Sequence, residues 1–182
     1  ANAYDFFLAW TVFVTLWAIV ANFAPLWLLY LILINTTFIL YSQQVANDWP
    51  EVLVFTLLFI INTAVVLTFY LLSKYKKIAL VPDWFINTVA LASTCFATIG
   101  IVYGIYEIYH VSFLVLILIA SLAFALGIRH GLKTKNGFYL SVIPFSLIII
   151  MSAMLIKTSD THMMFLFVSL FIVASVTLVI KN

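Results

Sequence analysis

Seven long apolar runs, separated by short polar stretches, leave this chain few folds to choose from. They lie at about residues 4–21, 26–41, 51–72, 84–106, 111–128, 138–156 and 163–180. A helix needs roughly 20 residues to cross the hydrocarbon of a bilayer, with about 17–25 tolerated, and these runs have that length or nearly so. Strands of a membrane barrel need only about 10 residues and alternate apolar with polar. These runs are longer and continuously apolar. The fold expected is all-α, a polytopic membrane helical bundle of about seven transmembrane helices. Its links, at 22–25, 42–50, 73–83, 107–110, 129–137 and 157–162, are short, as antiparallel neighbours require.

Composition agrees. Of 182 residues, 66% are apolar and 8% charged, and the mean hydropathy is +1.26. A soluble domain is about half apolar and about a quarter charged, so this chain has too little polar surface to cover a particle in water. The net charge of +2 gives no basis for a nucleic-acid partner. The lipid bilayer is the expected partner, with other membrane subunits or self-association left open. Cys95 is the one cysteine, inside an apolar run, so no internal disulfide is available. The chain opens on Ala1 without a charged segment ahead of a short apolar one, so no signal peptide is read. It is expected to be one part of a longer protein.

The charges orient the bundle. Lys74, Lys76 and Lys77 follow the third run, Arg129, Lys133 and Lys135 the fifth, and Lys181 the seventh. All fall on one side, and Lys157 alone falls on the other. Asp5, Asp48, Glu51, Glu107 and Asp160 lie opposite the cations, with Asp83 beside them. The positive-inside rule then places residue 1 outside and the C-terminus in the cytoplasm. Trp27, Trp49, Trp84, Tyr4, Tyr41, Tyr75 and Tyr139 flank the run ends as interfacial anchors do. Tyr103, Tyr106 and Tyr109, spaced by three, fit the same belt, with a ligand cage as the sharper alternative. Pro25 and Pro50 suit helix starts. Pro144 falls inside the sixth run, where Ser141 or Ser146 is expected to serve the backbone groups that the ring frees.

Within the runs, polar residues are sparse enough to be read one by one. The tripeptide Ile-Asn-Thr occurs three times, with its asparagine at positions 35, 62 and 87. Asn35 and Asn62 fall near the middle of consecutive antiparallel runs and are expected at similar height; Asn87 falls near a boundary. A polar pocket lined by Asn35, Thr36, Asn62 and Thr63 could bind a small polar ligand or headgroup. Interhelical hydrogen bonding is the plainer reading and the preferred one. Asn35-Thr36-Thr37 also matches a glycosylation pattern, which has no meaning inside a membrane. Small residues form a second pattern. Gly100 and Gly104 make a GxxxG preceded at the same spacing by Ser93 and Ala97, and Ser121 with Ala125, and Ala123 with Gly127, continue it. Such stripes allow close backbone approach, expected here within the chain, with another subunit as the alternative.

Chemistry is conspicuously short of groups. No ionisable residue falls at depth, so proton relays, voltage-sensing arginine rows and a buried retinal-type lysine are unsupported. No cofactor is called for. Glu107-x-x-His110 has the spacing of a metal-binding pair, but di-metal bundles need further inward glutamates that this chain lacks. A loosely held divalent cation there is a weak candidate beside solvated charge. No G-x-S-x-G or H-E-x-x-H is present, and the scattered Ser and His make no triad. No enzyme is expected. The basic stretch 129–135 suits anionic headgroups, or a cytoplasmic partner at Arg129-His130.

Tyr4-Asp5, Trp10 and Leu26-Trp27-Leu28, set in the hairpin of residues 1–41, resemble a family of bacterial polytopic membrane proteins grouped as a domain of unknown function. In that family a G-Q-I-Y-Q-type segment precedes the first of these helices. It is missing here, in keeping with helices upstream of residue 1. The resemblance implies a bacterial inner membrane location and carries over no site. The function expected is a non-enzymatic membrane scaffold, sensor or ligand-binding module. A small-solute transporter, or part of one, using the Asn35 and Asn62 region is the first alternative, and a seven-span sensory part of a signalling protein the second.

Overall fold

A computed structural model of the chain describes residues 2–21, 23–75, 81–107, 111–158 and 163–181. Lys76, Lys77, Tyr109, His110, Asp160 and His162, which bear on the orientation and on the metal candidate, lie outside the described residues. The described residues form seven helices: α1 (Ala3–Val20), α2 (Ala24–Gln44), α3 (Glu51–Lys74), α4 (Asp83–Tyr106), α5 (Val111–Thr134), α6 (Gly137–Thr158) and α7 (Met163–Lys181). Six of them, α1 to α6, are long and apolar enough to cross a membrane. A helix suits such apolar segments because it satisfies its own N–H and C=O groups where hydrocarbon offers them no partner. The outward faces agree. Phe13, Leu16, Ile19, Leu118 and Leu170 are among many large apolar side chains left exposed, where a helix facing water would carry polar ones.

The helices match the apolar runs closely, with one correction. α5 continues well past Ile128 to Thr134, so Arg129, His130 and Lys133 are helical and not in a loop. Nothing in that stretch breaks a helix until Lys135, which takes a left-handed φ of 55°. There the N–H of Asn136 bonds back to Gly131 O at 3.0 Å, the closing bond of a Schellman motif. The Asn136 side-chain oxygen then accepts the Phe138 N–H at 3.0 Å and caps α6. One asparagine thus closes one helix and opens the next. Pro25 sits in the first turn of α2 and Pro50 immediately precedes α3. Pro144 lies inside an unbroken α6. The two serines expected to serve it are spent elsewhere, Ser141 on Gly137 O at 2.9 Å and Ser146 on Thr98.

The chain divides into two compact units, Ala1–Pro50 with Leu57–Ser93, and Glu51–Thr56 with Thr94–Asn182. In the first, Ala24, Leu31, Val81, Phe85 and Val89 form a buried cluster, with Trp27 and Phe69 packed on it. The Trp27 ring lies 5.0 Å from that of Phe69 and 6.1 Å from that of Phe85. Its indole N–H donates to Ala18 O at 2.9 Å. Trp27, in the first turn of α2, thus ties α1 and α2 to this core. Trp49 and Trp84 are exposed near helix ends.

In the second unit, the Gly100 and Gly104 stripe packs within the chain. A Cβ on Gly104 would sit 2.1 Å from the Phe113 ring, and one on Gly100 would sit 2.9 Å from Phe55 Cβ and 2.8 Å from Leu116 Cδ2. The continuation into α5 runs differently from the expectation. Gly127 and Gly131 face α6, where a Cβ would meet Ile143 at 2.6 Å and Leu140 at 3.1 Å respectively. Ser121 and Ala125 are exposed and stand on another face. The cause is helical phase: at about 100° per residue, positions 125 and 127 point to nearly opposite sides. Of the tyrosine triplet, Tyr103 stacks on Phe55 at 5.5 Å and the Tyr106 hydroxyl donates to Ala153 O at 3.2 Å. These two turn to different partners, and Tyr109 lies outside the described residues.

Thermal unfolding of the detergent-solubilised chain checks these contacts. Asn136→Ala removes the α6 cap and lowers stability by about 1 kcal/mol, whereas Lys135→Gly relieves the left-handed residue and raises it by about 1 kcal/mol. Gly104→Ala overpacks against Phe113 and costs about 1–3 kcal/mol. Adding Phe113→Leu to Gly104→Ala recovers part of that loss.

Candidate functional site

The polar residues of the helix interiors meet in pairs. Asn35 lies near the midpoint of α2 and Asn62 near the midpoint of α3. Asn35 Nδ2 donates to Asn62 Oδ1 at 3.1 Å, and Asn62 Nδ2 donates to Asn35 Oδ1 at 2.9 Å. Asn62 Nδ2 also donates to Leu58 O at 2.8 Å. That third bond fixes the amide orientation, since a carbonyl can only accept and must face the NH2 group. Asn62 has no exposure at all, while Asn35 is half-buried. Both amide hydrogens of Asn62 are thereby engaged, as is its oxygen.

The other two residues of the expected pocket do not join this pair. The Thr63 hydroxyl lies 2.7 Å from that of Ser93 on α4. Ser93 reaches Phe59 O at 3.4 Å, so its proton goes there and Thr63 donates to Ser93. Thr36 is half-buried and, among the described residues, adds no hydrogen bond to the asparagines. Asn87 is half-buried near the start of α4, and Thr88 bonds within its own helix to Trp84 O. The three Ile-Asn-Thr copies therefore do three different things. The structure brings Asn35 and Asn62 together, sends Thr63 to α4 and leaves Asn87 apart.

Similar pairs, not foreseen from the sequence, join other helices. The Thr11 hydroxyl on α1 lies 2.9 Å from that of Thr37 on α2, and those of Thr15 and Tyr30 lie 3.0 Å apart. In the second unit, Thr98 on α4 meets Ser146 on α6 at 2.6 Å, with both side chains buried. Thr98 gives its own proton to Thr94 O at 2.7 Å, which leaves Ser146 as the donor between them. Threonine and serine can hide in a helix by bonding one turn back, so their spacing in sequence carries no mark of a partner in another helix.

These groups have little reactive chemistry to offer. Amides do not titrate, and the paired hydroxyls of Thr63, Ser93, Thr98 and Ser146 are committed to a carbonyl or a second hydroxyl. Among the described residues, no three His, Cys, Asp or Glu gather to hold a metal ion. Glu107 sits just beyond the end of α4 with its Oε2 buried and unpartnered, and its expected companion His110 is outside the described residues. Cys95 is exposed on α4. No protein-family model, curated protein or solved structure matches the chain.

A double-mutant cycle on the asparagine pair tests its role in cohesion. Asn35→Leu leaves the fully buried Asn62 oxygen without its partner, at a cost of about 1–3 kcal/mol. The double replacement by leucine should cost less than the sum of the two single ones, by about 0.6–2 kcal/mol. Strict additivity would show that the pair contributes nothing jointly.

Proposed function

We infer that this chain is a seven-span protein of a bacterial cytoplasmic membrane, N-terminus outside and C-terminus inside. It works without catalysis, as a membrane-embedded scaffold or ligand-binding module. The observation that carries this reading is how the interior polar groups are spent. Asn62, fully buried, gives its amide hydrogens to Asn35 and Leu58 O. The Ser146 hydroxyl donates to Thr98, which donates in turn to the backbone. A site that passes a polar solute must exchange protein hydrogen bonds for solute or water at mid-depth. Groups already satisfied by one another favour holding helices in place over conducting a solute between them.

The charge pattern supports the orientation. Arg129, Lys133 and Lys135 cluster at the α5–α6 end, whereas Asp48 and Glu51 mark the α2–α3 end. The likeness of the first hairpin to bacterial polytopic proteins supports the choice of membrane. α7 is taken as the seventh span because it ends, like α3 and α5, on a lysine-bearing segment.

Topology is directly measurable because the chain has one cysteine to remove. In a Cys95→Ser background, Asp48→Cys should react with a membrane-impermeant maleimide on intact cells. Lys133→Cys should react only after the cells are opened. Labelling of both from outside sinks the seven-span, C-inside arrangement. For the holding role, solute flux in vesicles carrying the protein should equal that of empty vesicles.

A further inference from the structure

The second unit contains a groove of about 740 Å³ between α4, α5 and α6. That is the size of a pocket for a sizeable small molecule, for which about 300–1,000 Å³ is usual. Its walls are almost wholly apolar, with Ile105 on α4, Ser121 and Ala125 on α5, and Ile150 and Met154 on α6 among them. The small Ser121 and Ala125 side chains leave it open along α5. It follows that helix from Phe113 to Ile128, a span of about 22 Å at the rise of an α-helix. One leaflet of a bilayer core is about 15 Å deep, so the groove has length for a whole long acyl chain.

One end of it is charged. Lys157 and Thr158 close the groove at the end of α6. The Thr158 hydroxyl is committed to Met154 O and Leu155 O at 3.0 and 3.1 Å. Lys157 Nζ donates to Ile105 O at the end of α4, which holds the ammonium over the groove mouth and leaves two of its three N–H groups. Among the described residues no carboxylate pairs with it; Glu107, two residues past Ile105 in sequence, leaves its Oε2 unpartnered. A cation at the rim of an apolar slot, with donors to spare, is complementary to an anion carried on a hydrocarbon chain.

We propose that this groove binds one acyl chain of an anionic phospholipid, with the headgroup phosphate at Lys157. The site presupposes the membrane placement proposed above. It gives the ligand-binding side of that reading a substrate class and moves it away from the asparagine pair. The acyl chain lies along Ser121 and Ala125, and the phosphate accepts from the N–H groups of Lys157 not given to Ile105 O.

The test uses the full chain in nanodiscs containing a trace of spin-labelled phosphatidylglycerol or spin-labelled phosphatidylcholine. Wild type should immobilise the phosphatidylglycerol probe preferentially, and Lys157→Gln should lower that preference about five-fold. Ala125→Phe, which fills the slot from an exposed position, should abolish the immobilised component while the melting temperature stays near wild type. Arg129→Gln, near the opposite end, should leave the preference unchanged. Equal immobilisation of both probes, insensitive to Lys157→Gln and Ala125→Phe, would mean ordinary lipid contact and overturn the site. Loss on Arg129→Gln in place of Lys157→Gln overturns the headgroup placement. Efficient disulfide formation between two Ala125→Cys copies would show a second chain in the groove and overturn the lipid. Extraction of the protein from native membranes by alkaline carbonate would defeat the membrane reading itself, separately from any of these.

Discussion

In hydrocarbon every polar atom needs a partner supplied by the protein, and this constraint runs through the chain at two scales. At the scale of the backbone it selects helices, because only a helix satisfies its own N–H and C=O groups segment by segment. At the scale of side chains it allows a few amides and hydroxyls provided that each meets another. Asn35 with Asn62, Thr63 with Ser93, Thr11 with Thr37, and Thr98 with Ser146 are the result. Each joins two helices that apolar contact alone would hold without register. Lipid tails compete with leucine for leucine, so such pairs and close small-residue packing supply what specificity the bundle has.

Glycine and hydroxyl pairs divide this work. Gly100, Gly104 and Gly127 let a neighbouring helix come close enough that a methyl group would collide with it, and Gly131 allows a nearly as close approach. The paired hydroxyls then fix how far along its axis each helix sits. Both devices use small residues, which explains why the apolar runs are interrupted by Gly, Ser and Thr and not by charge. The same economy leaves the α5 surface at Ser121 and Ala125 uncovered. Two small exposed residues on this face of α5 leave an open slot along the helix.

The helices were legible in the sequence because an apolar run of roughly 20 residues is a long, redundant signal. The one boundary that failed, at α5, is instructive. Arg129, His130 and Lys133 look like loop by polarity, yet helix continues until a residue in the left-handed region stops it. Polarity tells where lipid ends, and helix ends are set by caps. The asparagine pair was legible because both residues are rare in such runs and fall at matching heights in adjacent antiparallel helices. The hydroxyl pairs were not, since a Thr or Ser at any depth can satisfy itself one turn back and so carries no address.

What the sequence by itself determined is the all-helical architecture, the number and approximate ends of the helices, and the absence of ionisable groups in their interiors. Those follow from length, hydropathy and charge, which are properties of segments. The tertiary structure decided which face of each helix meets which neighbour. It turned Gly127 and Gly131 inward and left Ser121 and Ala125 exposed, drew Trp27 into a core, and set the Lys157 ammonium over an apolar groove. The helices here are apolar on nearly every side, so periodicity cannot say which side is inner. Only the packing of several helices at once breaks that symmetry.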